Sequence, residues 1–123
     1  MTRVYSVLLA VCLALLVISL QPLRAENPDH VKQLKETGKC PACDLSKANL
    51  RAARIDQADL SGADLTEADL YMAFLPGANL AGANLYGANL NAADLTGATD
   101  VNFTGARTDQ RTTCPNGKRG PCQ

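Results

Sequence analysis

Residues 43–97 read CDLSK ANLRA ARIDQ ADLSG ADLTE ADLYM AFLPG ANLAG ANLYG ANLNA ADLTG, eleven blocks of five without a gap. Ala opens ten of the eleven blocks, and Leu or Ile stands third in every one. A period of five suits neither regular element. On an α-helix five residues advance about 140° net, so the leucines would wander around the axis. In a continuous strand five is odd, and successive leucines would change sides. One corner per block removes the conflict. The first three residues run extended with the first and third pointing in and the second out, and the last two turn. The Leu75-Pro76-Gly77-Ala78 run has Pro then Gly at its centre, the sequence of a type II turn. Gly also closes the blocks at 62, 82, 87 and 97, but Lys47, Ala52, Gln57, Glu67, Met72 and Ala92 close others. Non-glycine residues resist a positive φ, so the corners are not expected to share one geometry.

The tandem A(D/N)LXX pattern resembles the pentapeptide-repeat family, over 55 of 123 residues. The resemblance implies an all-β fold, a right-handed quadrilateral parallel β-helix with four blocks per coil. Residues twenty apart should then stack at roughly the 4.8 Å spacing of neighbouring strands. Members of that family include DNA-mimicking gyrase inhibitors and exported proteins without a known activity, so the fold alone does not assign a function.

Four segments follow from the chain. Residues 1–25 start with Arg3, continue through an apolar run over 4–20 and end on Ala25, which reads as a secretory signal peptide cut after Ala25. The competing reading is a retained membrane anchor. Residues 26–42 hold a capping helix and a CxxC. Asn27 is placed as N-cap, Pro28 at the first helical position, Asp29 in the first turn and Gly38 past the end. So short a helix is marginal in water and needs Val31 and Leu34 laid over the first coil. His30, the one histidine, is expected to be a solvated helix residue. Residues 43–110 form the repeat array. Its phase slips at Ala98-Thr99-Asp100, and Phe103 then takes a leucine place. Residues 111–123 close the far end.

Removal of 1–25 would leave ten basic and twelve acidic residues, net −2, which does not suit a nucleic-acid binder. It would also leave four cysteines, Cys40, Cys43, Cys114 and Cys122, an even number fit for an oxidising compartment. Cys43 and Cys114 lie about 3.5 coils, or ~17 Å, apart, beyond the ~7 Å reach of a bridge. The consistent pairing is therefore Cys40 with Cys43 and Cys114 with Cys122. A redox-active CxxC would need a thiolate at a helix N-terminus, and a zinc site would need two further ligands nearby; the array offers neither.

No catalytic set, phosphate loop or metal motif is legible, and no cofactor is expected. Stacking at twenty places Lys47 beside Glu67, and Asp44 beside Asp64 and Asn84. Arg51, Tyr71 and Asn91 share one column; Arg54, Phe74 and Asp94 share another. Arg51, Arg54, Tyr71, Met72 and Phe74 are the candidate contact surface for a protein partner, with both arginines able to lie over a ring. The seven acidic residues between Arg54 and Arg107 make an acidic waist. Three coils are short for a DNA mimic, and a solvated acidic face explains the charge. The sequence thus points to an exported, non-enzymatic solenoid of the periplasm or thylakoid lumen. It would bind protein rather than nucleic acid or, once cleaved, membrane. The alternatives are a DNA-mimic inhibitor retained inside the cell and a thiol–disulfide role for the CxxC.

Overall fold

The structure, a computed structural model, describes residues 26–123, and the signal-peptide reading of 1–25 lies outside the described residues. One helix, α1 (Pro28–Thr37), precedes the array. The Asn27 side chain accepts the Asp29 N–H, and Gly38, at φ 66°, donates its N–H back to Leu34. Beyond it the chain coils with parallel bridges twenty residues apart. Lys39 pairs with Asp59, then Asn79, then Thr99; Asp44 with Asp64 and Asn84; Asn49 with Asp69 and Asn89; Arg54 with Phe74 and Asp94. Four blocks therefore complete each coil. Each side contributes a single bridging residue, so no extended strand forms.

In the block that opens at Ala63 every N–H has a defined destination, beginning with the Ala63 N–H on the Leu60 carbonyl (3.1 Å). The Asp64 N–H reaches back one coil to the Cys43 carbonyl (2.9 Å) and the Leu65 N–H reaches on to Asn84 (2.9 Å). Thr66 donates its N–H to the Asp64 carboxylate (3.0 Å). The Glu67 N–H pairs with Tyr86 one coil on (2.8 Å), and the next Ala68 N–H closes the corner on Leu65 (3.0 Å). Backbone polar groups are thus paired without any helix or long strand. The leucines fill the interior, with Leu45, Leu50, Leu60, Leu65, Leu90 and Leu95 fully buried between the small opening alanines.

The corners correct one expectation. Every block from 43 to 97 closes at positive φ, whether the residue is Gly77 (67°), Lys47 (60°), Ala52 (52°), Gln57 (55°) or Met72 (57°). The fourth residue of each block is not among those at positive φ, so the corners share the one sign pattern that a type II turn requires. A left-handed non-glycine residue costs about 1–2 kcal/mol. The cost is borne because the corner's N–H is held by the next coil, as when Ala52 donates to Tyr71 (2.9 Å) and Met72 to Asn91 (3.1 Å).

The cap completes the exposed edge of the first coil. Leu34 is wholly buried in the core and Val31 packs against it. His30 is not the solvated residue expected of it. It is half-buried, and its Nδ1 accepts the Asp44 N–H (3.0 Å), a donor with no coil in front of it. Glu26 does the same for the Asn49 N–H (2.9 Å).

At the far end the register shortens. Asn89 pairs with Arg107, eighteen residues on, and Asp94 with Thr113, nineteen on. The three-residue step at 98–100 removes two residues and Arg111 restores one. The Asp109 carboxylate replaces a missing carbonyl by accepting the Ala92 N–H (3.0 Å). Thr112 takes an alanine place fully buried, its hydroxyl donating to Leu90 (3.0 Å). Thr113 then bridges Arg119 antiparallel, and the chain folds back.

Candidate contact face

The second residue of a block is usually Asn or Asp because its side-chain oxygen must accept the N–H of the fourth residue, an Asx turn. Asn49, Asp59, Asp69, Asn79, Asn89 and Asp94 all do so. Phe74 is exempt for a stated reason. The fourth residue of its block is Pro76, which has no N–H to satisfy. A ring is therefore tolerated there without loss to the corner.

That ring lies under a guanidinium. The Arg54 carbon sits 5.2 Å from the Phe74 centroid. On the adjoining corner Arg51 lies 4.6 Å from the Tyr71 centroid and its Nη1 reaches Asp69 Oδ2 at 3.1 Å. Arg111 covers the same Tyr71 ring from two coils further along, at 5.7 Å. It also forks onto Asp109 through Nε (3.2 Å) and Nη2 (3.1 Å). Met72, next to Tyr71 in the chain, is 55 % exposed. The five residues singled out in the sequence are thus brought together. Tyr71 and Phe74, however, are half-buried beneath their arginines rather than openly exposed, and Met72 is the apolar tip.

The electrostatics tie the corner down. Burial pushes the Asp69 carboxyl up, but the Arg51 guanidinium, the Tyr71 N–H and the Asn89 amide outweigh it and hold the pKa below the ordinary value. Burial likewise opposes ionisation of Asp109. The N–H groups of Ala92 and Arg111, the Arg111 guanidinium and the Thr112 hydroxyl prevail and place its pKa at about 2. Asp109 in turn raises the Arg111 pKa. Arg111 was not singled out beforehand. The phase slip at 98–100 hid it, because the register there is eighteen to nineteen residues and a count of twenty no longer tracks the column.

The remaining candidates lie elsewhere. The structure bonds Cys40 to Cys43 (S–S 2.03 Å) and Cys114 to Cys122 (2.02 Å). Cys40 is fully buried and Cys43 is 5 % exposed, so no sulfur of the CxxC is open to a thiol. Lys47 and Glu67 meet at 3.8 Å on an exposed corner, a pair of little energetic weight. Among the described residues no group of three His, Cys, Asp or Glu is placed to hold a metal, and no helix is long and apolar enough to cross a membrane.

A family model described as pentapeptide repeats matches residues 43–80 and 73–107, more than half of the chain. The chain belongs to the pentapeptide-repeat family. A solved pentapeptide repeat protein from Nostoc Pcc 7120 is 32 % identical, covers 69 % of this chain and 77 % of its own, and superposes with a TM-score of 0.53. A second, from the cyanobacterium Cyanothece 51142, is 40 % identical over 60 % of this chain and 55 % of its own, with a TM-score of 0.33. A third, from the Arabidopsis thaliana thylakoid lumen, is 28 % identical over 62 % and 61 %, with a TM-score of 0.29. No curated protein matches. This pentapeptide-repeat chain is similar to the Nostoc protein across its coils.

Proposed function

We propose that this pentapeptide-repeat chain is an exported, non-enzymatic protein-binding module, built on the family's right-handed quadrilateral β-helix and working in the periplasm or thylakoid lumen. One observation carries the reading. Two rings on neighbouring positions of one coil, Tyr71 and Phe74, each lie under an arginine, and Met72, between them in the chain, is exposed. Arginine and aromatic residues supply most of the energy at protein interfaces, and here they are pre-ordered by stacking. The partner this face fits is a protein surface with an apolar hollow for Met72 and carboxylates for Arg51, Arg54 and Arg111. Export is supported by the apolar leader with its Ala25 exit and by two bonded cysteine pairs. Intracellular DNA mimicry fits less well, because guanidinium groups interrupt the acidic surface at this face.

The test is cross-linking and affinity capture in the cell of origin with the native chain and a Tyr71→Ser/Phe74→Asn variant of matched melting temperature. A partner held by the native chain and lost with the variant supports the reading. Equal capture by both removes this face from it.

A further inference from the structure

The ladder has one break, and it lies away from the contact face. Between the second and third coils Gly62 donates its N–H to Ala81 (2.8 Å), Leu65 donates to Asn84 (2.9 Å), and the Ala63 carbonyl accepts from Asn84 (2.9 Å). One coil later the equivalent groups are the Gly82 N–H, the Leu85 N–H and the Ala83 carbonyl. None of them has a partner among the described residues. Pairing is intact on both flanks, from Leu80 to Thr99 (3.1 Å) and from Gly87 to Gly105 (2.8 Å). The missing bonds follow the shortened step at 98–100, after which residues 101–104 make no bridge to the coil before them. The gap they leave is about 310 Å³, at the lower edge of the ~300–1,000 Å³ of small-molecule sites.

Its walls are specific in character. Tyr86 is 63 % exposed, yet it is backed by Gly105, where any Cβ would collide with the ring. Asn84 and Asn102 use their side-chain oxygens on the N–H groups of Tyr86 (3.1 Å) and Thr104 (3.0 Å). Their amide nitrogens are left as donors, and the Thr104 hydroxyl stands beside them. No charged side chain lines the gap. Asp64 and Glu67 lie one coil above, next to Asn84 and Gly87, and disfavour an anion. The flanking coil-to-coil bonds close both ends, so an extended peptide has no path through.

We propose that this gap is a binding site for neutral saccharides. The ring of Tyr86 stacks on the apolar face of a sugar, hydroxyl oxygens accept from Leu85, Gly82 and the two amides, and one hydroxyl donates to the Ala83 carbonyl. A tyrosine held flat gives contact area with little ordering cost, and the backbone donors take the hydrogen bonds they otherwise lack.

The full chain is titrated with maltotriose, cellotriose and chitotriose, and with trigalacturonate as the charged control, while backbone amide NMR signals are followed. At least one neutral trisaccharide should move the Gly82 and Leu85 signals saturably and leave Gly62 and Leu65 in place. Tyr86→Ser should weaken binding about ten-fold or more, and Tyr86→Phe should keep it within about two-fold. Asn102→Ala, on an exposed loop, should weaken it as well. No saturable shift with any neutral sugar, binding of trigalacturonate as tight as theirs, or a Tyr86→Ser variant that binds unchanged would each overturn the proposal and leave the gap to water.

Discussion

At the scale of single residues, the fourth N–H of a block favours Asn or Asp as the second residue, whose oxygen accepts it. The block of Arg54, with Asp56 fourth, does without that bond. Where Pro76 removes the N–H, Phe74 is free to be a ring. Pro76→Ala should therefore lower stability by about 1 kcal/mol, by restoring both an unpaired N–H and unfolded-state freedom. Phe74→Asn introduced on top of it should recover part of that loss, although alone it only forfeits the Arg54 stack. Denaturant unfolding of the double-mutant cycle measures the coupling, and strict additivity would contradict the rule. Asp109 gives a pH signature. Its folded pKa of about 2 lies below the ordinary 3.8, so its contribution is fully present above about pH 4 and is lost as pH falls through about 2. Asp59 and Asp69 are shifted in the same direction. Melting temperatures should fall over that window, and Asp109→Asn should flatten the fall.

At the scale of the element, the corner is the unit that was hardest to read from sequence. The block period, the inward leucines and the α1 caps were legible because each follows from spacing and from local turn chemistry, while the stacking at twenty followed from the four blocks per coil that the family resemblance implied. The uniform positive φ was not. It is imposed by the coils above and below through the ladder, and a lone Lys47 or Gln57 carries no sign of it. The role of His30 was hidden for the same reason, since the donor it satisfies exists only once the first coil has formed. If the ladder does hold strained corners, glycine should relieve one. Ala52→Gly, on an exposed corner at φ 52°, should raise stability by about 0.5–1 kcal/mol, the left-handed penalty less the added freedom of the unfolded chain. A loss of stability in thermal unfolding would show that Ala52 is unstrained.

At the scale of the whole molecule, three coils share one narrow core, capped by Leu34 at one end and by the Cys114–Cys122 hairpin at the other. Leu65 is fully buried at mid-height, with Leu45 and Leu85 twenty residues to either side. A carboxylate there has no partner and interrupts the stack. Leu65→Asp should give no soluble, cooperatively melting protein, and one that melts cooperatively would count against a single continuous core. Both faces described above depend on where the twenty-residue register holds and where it breaks. Arg111 reaches Tyr71 from a last coil whose bridges to the coil before it are re-formed at Arg107 and Thr113, and the gap at Tyr86 lies where residues 101–104 make no such bridge. Residue-resolved amide hydrogen exchange on the full chain measures this most directly. Leu65 and Leu70 should exchange only by global unfolding, while Leu85, whose side chain is just as buried, should exchange faster by orders of magnitude, together with Gly82. Equal protection of Leu85 and Leu65 would mean that residues 101–104 close on the third coil, and the account of a broken register would fail.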